Sequence, residues 1–124
     1  MATKEKTGCR LISVVNQKGG VGKTTTAINV STYLAKKGYS TLLVDLDPQS
    51  NATSGLGVYP EDIKKSTYDA IIDHITPEEV IFNTTYNGLD ILPSSERLSG
   101  AEVELVSSFK REYRLKKILD KLKR

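Results

Sequence analysis

The residues whose types and spacing point most directly to chemistry are glycines and lysines in one short turn. The turn reads Lys18-Gly19-Gly20-Val21-Gly22-Lys23-Thr24-Thr25; an apolar run over residues 11–15 precedes it, and a segment with helical spacing of apolar residues follows. Glycines let the backbone curl so that its N–H groups converge on one anion, and a helix start adds unpaired N–H donors and partial positive charge. The order strand, glycine turn, helix predicts a polyphosphate site.

Three side chains of this turn have separate predicted roles. Lys23 supplies a mobile cation for the β- and γ-phosphates, the Thr24 hydroxyl is placed to ligate Mg²⁺, and Thr25 is within reach of the α-phosphate. Gln17 stands where the common phosphate-loop pattern has its first glycine, so the turn is a variant of that pattern. The alternative is a glycine-rich strand-to-helix turn with a surface lysine.

A second group of candidate residues lies at the end of the second apolar run, residues 41–46. It consists of Asp45 and Asp47. Taken alone, residues 42–45 are typical of a strand that ends in a Mg²⁺-binding acid. Both carboxylates also fit an Asx turn, in which they accept hydrogen bonds from nearby backbone N–H groups. The local pattern leaves the catalytic and the structural interpretation open.

The elements that position these residues alternate between strands and helices. Strands are predicted over residues 11–15, 41–46 and 89–92, and helices over 24–37, 67–75, 95–108 and 110–123. Thr76, Pro77 and Glu79 predict a capped helix start. Near-continuous apolar strands joined by a helix favour a parallel sheet covered on both faces, which is an α/β fold. Three strands are few for such a sheet, so we expect the amino-terminal part of a larger fold.

Composition and charge exclude several classes of protein. The 124 residues are 38% hydrophobic and 27% charged, with a net charge of +3 and one cysteine, Cys9. A single cysteine excludes an internal disulfide and leaves a zinc cluster without thiolate partners. We find neither an apolar stretch of about 20 residues, which a membrane helix needs, nor an apolar signal core near the start. A soluble, cytoplasmic protein without a membrane partner is expected.

The basic residues are concentrated at the end of the sequence. Residues 110–124 carry eight basic side chains against two acidic ones, a local charge of +6 in a chain of net charge +3. Apolar residues recur there with helical spacing, at Leu115, Ile118, Leu119 and Leu122. We favour a helix that covers the core and solvates its lysines; the alternative is a helix whose lysines bind nucleic-acid phosphates.

The glycine turn and the acidic loop together carry a family resemblance. The segments 18–25 and Asp45-Leu46-Asp47-Pro48-Gln49 resemble the deviant Walker A ATPases, and within them the ParA/Soj chromosome and plasmid partition family. The similarity continues through residues 51–57, 88–93, 98–105 and 111–115. It implies a P-loop NTPase-type parallel sheet flanked by helices, of which residues 1–124 form the amino-terminal part. Within it the resemblance implies a polar leader over 1–10, a phosphate loop over 16–25 and a switch loop over 45–57.

The resemblance also implies roles for individual residues. Lys18 matches the signature lysine that reaches the partner's phosphates across a nucleotide-sandwich homodimer, as an arginine finger does. Asp47 matches the carboxylate that positions the attacking water and supports Mg²⁺ through its water shell. Asp45 would support the Mg²⁺ site indirectly, through the groups that bind the metal. The backbone of Gly19, Gly20, Val21 and Gly22 would cradle the phosphates. A solvated loop lysine remains the alternative for Lys18.

The function implied is a Mg²⁺-dependent ATPase switch that alternates between ATP and ADP. Its ATP-bound dimer would bind DNA non-specifically on the bacterial nucleoid, and a ParB/Spo0J-like centromere-binding protein would discharge it. The family's Walker B strand and its main DNA-binding surface would lie beyond residue 124, so the chain alone is expected to hydrolyse ATP weakly or not at all. The alternatives are a MinD-like cell-division ATPase, a non-catalytic nucleotide-binding or interaction module, and a small basic nucleic-acid binder.

Overall fold

The elements of the fold are short and follow one another closely along the chain. The structure, a computed structural model, describes residues 8–20, 22–72, 75–100 and 113–122. The elements are α1 (Lys23–Lys36), β1 (Thr41–Val44), α2 (Asn51–Gly55), α3 (Thr67–Ile72), β2 (Phe82–Asn83), β3 (Leu89–Leu92) and α4 (Arg114–Leu122), with 3₁₀ helices at Pro60–Asp62 and Pro77–Glu79. Residues 98–100 are helical; the rest of the helix predicted over 95–108 lies almost entirely outside the described residues.

The sheet combines one parallel and one antiparallel pairing. Its strand order is β1-β3-β2. β1 and β3 are parallel, with Thr41 opposite Leu89 and Val44 opposite Leu92. This pairing and the flanking helices confirm the predicted α/β class. β2 is antiparallel to β3 and was not predicted, because two residues are too few to show strand periodicity.

Two apolar clusters cover the two faces of this sheet. One joins Leu43, Leu89 and Ile91 to α1 and α2. The other joins Leu92 to α3 and α4. Successive strand side chains point to opposite faces, so Ile91 and Leu92 enter different clusters although they are neighbours. The sheet is therefore covered on both sides, as its near-continuous apolar strands predicted.

A turn glycine and the predicted capping interaction lie next to this core. Gly88 has φ 83°, in the left-handed region that residues with a Cβ rarely adopt, and its Cβ position is at ordinary contact distance from Ala35, at the end of α1. Thr76 donates from its N–H and its hydroxyl to one carboxylate oxygen of Glu79, each at 3.0 Å. Because these bonds favour the ionised carboxylate, they lower the pKa of Glu79. The helix that follows is a single 3₁₀ turn, Pro77–Glu79.

The strand predicted over residues 11–15 does not form. This segment has no strand pairing in the structure, and its apolar side chains are exposed, with Val15 at 82%. A strand needs a neighbour that supplies hydrogen-bond partners. Among the described residues, β1, β2 and β3 pair only with one another. The apolar run alone therefore did not determine the conformation of residues 11–15.

The helix α4 covers the core with one side and exposes its charges on the other. Ile118 is buried in the second cluster, whereas Lys117 and Lys121 are exposed. Lys116 forms an ion pair with Asp120 at 2.7 Å, one helical turn away. This arrangement agrees with the favoured covering-helix interpretation. No helix in the described part of the chain has the length and apolar character needed to cross a membrane.

The fold makes a prediction about two apolar residues that the sequence treats alike. We expect Ile91→Ala to lower the free energy of unfolding by about 2 to 5 kcal/mol, because Ile91 is fully buried and its truncation leaves a cavity. Val15→Ala should change it by less than about 0.5 kcal/mol. Urea denaturation of the two variants measures both values. An equal loss for Val15→Ala would contradict the exposed position of residues 11–15.

Candidate functional site

The glycine turn has the backbone conformation that its sequence requires. Gly20 has φ 71° and Gly22 has φ 89°, both in the left-handed region that residues with a Cβ avoid. No atom lies within 4 Å of the position that a Cβ would take at Gly19 or Gly20. At the entrance, the Asn16 side-chain oxygen accepts a 2.9 Å hydrogen bond from the Lys18 N–H. The space beside the turn is therefore open. Val21 lies outside the described residues.

The helix that follows the turn begins without a capping side chain. Gly22 is its N-cap residue, no side chain of the described residues caps it, and its first turn contains no acidic residue. The first helical bond runs from the Thr26 N–H to the Gly22 carbonyl, at 2.9 Å. The N–H groups of Lys23, Thr24 and Thr25 therefore precede the first intrahelical donor, and they carry the partial positive charge of the helix end. A helix start of this kind is suited to an anion.

The two lysines of the turn are available to such an anion. The Lys23 ammonium donates one hydrogen bond, at 3.1 Å, to the carbonyl oxygen of Lys18, which places its charge across the turn. Two of its three N–H donors are not used by this bond. None of the ion pairs formed among the described residues includes Lys18 or Lys23. Among the described residues, the hydrogen bonds of residue 18 are made by its main chain, so no hydrogen bond of the Lys18 side chain within this part of the chain holds the turn.

The carboxylate of Asp47 is tied into its own loop. One oxygen accepts the Gln49 N–H at 3.0 Å, and the other accepts the Asn51 side-chain amide at 3.2 Å. This is the Asx-turn arrangement that the sequence allowed as the structural interpretation. A carboxylate offers about four lone-pair sites, so two accepted bonds leave Asp47 able to accept more. The residue is half-buried.

Asp45 is buried and holds both ends of the loop. Its exposure is 4%. One oxygen accepts the Asp47 N–H at 3.0 Å; the other accepts the N–H of Thr53 at 2.9 Å and its hydroxyl at 2.6 Å. Three donors satisfy a charge that would otherwise be costly to bury. This geometry supports the loop-bracing interpretation of Asp45, and its support of a metal stays a prediction.

Sequence reasoning missed two residues that complete this loop, Thr53 and Ser94. The Ser94 N–H donates to the Thr53 hydroxyl at 3.0 Å, and the Ser94 hydroxyl donates to the Asp47 carbonyl oxygen. Serine and threonine are too common to attract notice, and 41 residues separate these two. Topology gives the one available signal. Because β1 and β3 are parallel, the residues that follow them lie at the same edge of the sheet.

The helices that follow the glycine turn and the acidic loop share a support. Ala27 and Ile28 of α1 pack against the cluster that includes Ala52 of α2. Among the described residues, no group of three or more His, Cys, Asp and Glu side chains is placed to hold a metal ion. Mg²⁺ that is bound with a nucleotide takes one or two protein ligands, and phosphate and water supply the others. Thr24, with a hydroxyl at the start of α1, and Asp47, with unused lone pairs, are chemically suited to that smaller task.

An open glycine turn ahead of an uncapped helix, with an acidic loop after a parallel strand, defines an α/β protein of the P-loop class. A family model described as an AAA domain matches residues 9–124, so the chain belongs to the AAA domain family. One relative is the sporulation initiation inhibitor protein Soj of Bacillus subtilis, 47% identical over 114 residues, which are 92% of this chain and 45% of that protein. Another is the chromosome partitioning protein ParA of Myxococcus xanthus, 47% identical over 110 residues, which are 89% and 39%. These matches confirm the resemblance to the ParA/Soj family, and the chain spans less than half the length of either relative.

Solved structures share the fold. A cobyrinic acid a,c-diamide synthase of Mycobacterium smegmatis, crystallised with an ATP analogue and magnesium, superposes with a TM-score of 0.82 at 40% identity over 87% of this chain and 44% of that one. A variant of Cyanothece McdA in complex with ATP has a TM-score of 0.79 at 31% identity over 87% and 41%. A plasmid partition protein of Borrelia burgdorferi has a TM-score of 0.73 at 28% identity over 87% and 48%. The P-loop α/β fold is therefore shown.

The bracing role of Asp45 leads to a stability prediction. Asp45→Asn replaces one acceptor oxygen by an amide that faces donors, so we expect the free energy of unfolding to fall by about 2 to 3 kcal/mol. Asp62→Asn is the matched control, because Asp62 is exposed and should change stability by less than about 0.5 kcal/mol. Chemical denaturation at neutral pH measures the difference. Equal stability of the two variants would contradict the bracing role.

Proposed function

We propose that the protein is a Mg²⁺-dependent ATP-binding and ATP-hydrolysing switch that acts in chromosome or plasmid partition. The observation that carries the proposal is the open glycine turn, which has two left-handed glycines and leads into an uncapped helix. Lys23, the first residue of that helix, places its ammonium across the turn. One relative, ParA of Myxococcus xanthus, is named a chromosome partitioning protein, and the structures of two neighbours contain ATP or an ATP analogue with magnesium. The geometry of the turn and the ligands of these neighbours both support a nucleotide as the ligand of this protein.

The turn accounts for how a nucleotide would be held. The N–H groups at the start of α1 and the backbone of residues 18–22 would donate to phosphate oxygens. The Lys23 ammonium has one exposed bond to give up, to the Lys18 carbonyl, and a phosphate would replace that acceptor with a charged one. Thr24 and Asp47, with Asp45 behind it, would hold Mg²⁺ directly or through water. When bound, Mg²⁺ neutralises charge on the phosphate oxygens.

Two residues, Asp47 and Lys18, would have separate roles in the proposed hydrolysis. Asp47 would orient the attacking water with the lone pairs that its loop leaves unused. Lys18 would act in trans on the phosphates of a second copy, so a homodimer that sandwiches the nucleotides completes the site. A cation delivered in trans is worth about 10³ to 10⁵ in rate in other phosphoryl-transfer proteins. The Lys18 side chain supports this assignment, because none of the hydrogen bonds or ion pairs formed among the described residues would be lost when it moves.

The proposed ATPase cycle would change the oligomeric state of the protein and would not convert a metabolite. The ATP-bound dimer would bind DNA non-specifically, and a ParB/Spo0J-like partner would stimulate its discharge. These partners follow from the partition family. The chain spans less than half the length of its relatives, so both surfaces are proposed for the full-length gene product rather than for residues of this chain.

A non-catalytic nucleotide-binding module is the second candidate. The observation that favours it is the Asx turn at Asp47, in which both carboxylate oxygens already accept a hydrogen bond. In that case the glycine turn would bind nucleotide, and Asp47 would only shape its loop. ATP turnover by the full-length gene product distinguishes the two, since a binding module would release no phosphate.

The nucleotide site is tested by Lys23→Ala. The variant loses charge-assisted hydrogen bonds to phosphate, each worth about 1.5 to 3 kcal/mol, so we expect the affinity for Mg-ATP to fall by at least roughly tenfold. Isothermal titration calorimetry measures it. The matched control is Lys36→Ala, which removes an exposed lysine at the far end of the same helix and should leave the affinity unchanged. Unchanged affinity for Lys23→Ala would refute the phosphate site.

The trans role is tested by Lys18→Ala in the full-length gene product. The main-chain bonds of residue 18 survive this substitution, so the affinity of the monomer for Mg-ATP should stay the same. We expect the ATP-dependent dimer to disappear, because the cation that bridges to the partner's phosphates is gone. Sedimentation velocity with and without ATP measures the dimer. A dimer that persists in Lys18→Ala would count against the trans role and leave the nucleotide site intact.

A further inference from the structure

A chain of hydrogen bonds links the switch loop to the end of the central strand. The Asp45 carboxylate accepts from the Thr53 hydroxyl, that hydroxyl accepts from the Ser94 N–H, and the Ser94 hydroxyl donates to the Asp47 carbonyl. Thr53 and Ser94 are each only 1% exposed. The route therefore runs through buried hydroxyls from one aspartate of the loop to the other.

The far end of this route is fixed. Ser94 follows Pro93, directly after β3. The Pro93 carbonyl accepts the Thr67 N–H at 2.8 Å and the Thr67 hydroxyl at 3.0 Å. Thr67 begins α3 and is itself fully buried. Ser94 is thus held between the sheet and α3. A hydrogen bond from Ser94 therefore restrains the position of the group that accepts it.

The near end of the route is a loop with an unusual backbone. Ser50 has φ 57°, and it is the one non-glycine residue with a positive φ among those described. Its N–H donates to the same Asp47 carbonyl at 2.8 Å. That carbonyl therefore accepts two hydrogen bonds, one from within the loop and one from Ser94. Among the described residues, Ser94 is the one residue outside the loop that forms a hydrogen bond with the main chain of Asp47; within the loop the Asp45 carboxylate accepts its N–H.

We propose that Ser94, supported by the Thr53 hydroxyl, is a positioning residue for Asp47. It sets the main chain from which the Asp47 carboxylate reaches the attacking water, and it touches neither nucleotide nor water itself. The inference rests on the proposed function, in which Asp47 orients that water. It also predicts that Ser94 affects the rate of hydrolysis without affecting nucleotide affinity. No hydrogen bond among the described residues joins Ser94 or Thr53 to residues 16–20 or 22–25.

The test is the steady-state ATPase rate and Mg-ATP affinity of the full-length gene product. Ser94→Ala removes the bond to the Asp47 carbonyl and keeps the Ser94 N–H. We expect kcat to fall by roughly 10-fold to 100-fold, because small displacements of a catalytic group cost that much, with the dissociation constant for Mg-ATP within about twofold. Ser99→Ala is the matched control, since it removes an exposed hydroxyl whose one hydrogen bond within the described residues is to the Glu96 carbonyl.

Thr53 supplies the rescue that a merely structural role would not give. Thr53→Ser keeps the hydroxyl that bonds Asp45 and Ser94, so kcat should stay near that of the unchanged protein. Thr53→Val keeps the shape and removes the hydroxyl, so kcat should fall as it does in Ser94→Ala. If Ser94→Ala does not fold, Ser94→Cys takes its place, because a thiol is a weaker hydrogen-bond donor than a hydroxyl, so kcat should again fall.

Asp47→Ala separates failure of this inference from failure of the proposed function. Loss of turnover in Asp47→Ala, with full turnover in Ser94→Ala, would overturn the positioning role alone. Full turnover in Asp47→Ala would overturn both. A parallel fall of kcat and affinity in Ser94→Ala would also overturn the inference, because it would show damage to the whole site. The double variant should be no slower than Asp47→Ala, since Ser94 acts through that residue.

Discussion

The parallel pairing of β1 with β3 is the constraint on which the rest of the structure depends. It brings the residues that follow both strands to one edge of the sheet, so that Asp45 and Ser94, 49 positions apart in sequence, both bond to the Thr53 hydroxyl. Ligands of open α/β sheets bind outside the carboxyl ends of the strands. The pairing therefore places the acidic loop where a ligand would be expected, and it does so before any side chain of the loop makes a contact.

Burial of Asp45 turns that placement into a defined loop conformation. A carboxylate at 4% exposure must find donors, and three come from the loop itself, from Asp47 and Thr53. Satisfying the charge folds residues 45–53 back on themselves. The loop also tolerates a left-handed Ser50, which indicates that its surroundings over-determine its path. The buried Asp45 carboxylate thus fixes the conformation of the loop, and the exposed residues of the loop remain available for other interactions.

The sequence predicted those features that local chemistry decides. The tight glycine turn, the helix after it, the strand at 89–92, a strand within the predicted 41–46 that ends at Val44, and the capping interaction of Thr76 with Glu79 each depend on neighbouring residues. The strand expected at 11–15 did not form, because a strand also needs a partner that lies elsewhere in the chain. Thr53 and Ser94 were missed for the same reason: their meaning comes from a contact across 41 positions, and neither residue type stands out alone.

The two loops differ in how firmly they are held, as the proposed switch requires. The glycine turn makes few side-chain contacts in the described chain: one from Asn16 and one exposed bond from Lys23. It can thus exchange its own bonds for those of a phosphate at little cost. The acidic loop is held by a buried carboxylate and by Ser94, so displacing it means breaking bonds that water cannot immediately replace. A ligand can therefore enter the first loop readily, whereas only an interaction that repays those buried bonds can move the second. In the proposed function, ligand binding by the first loop and the response of the second would therefore depend on different contacts.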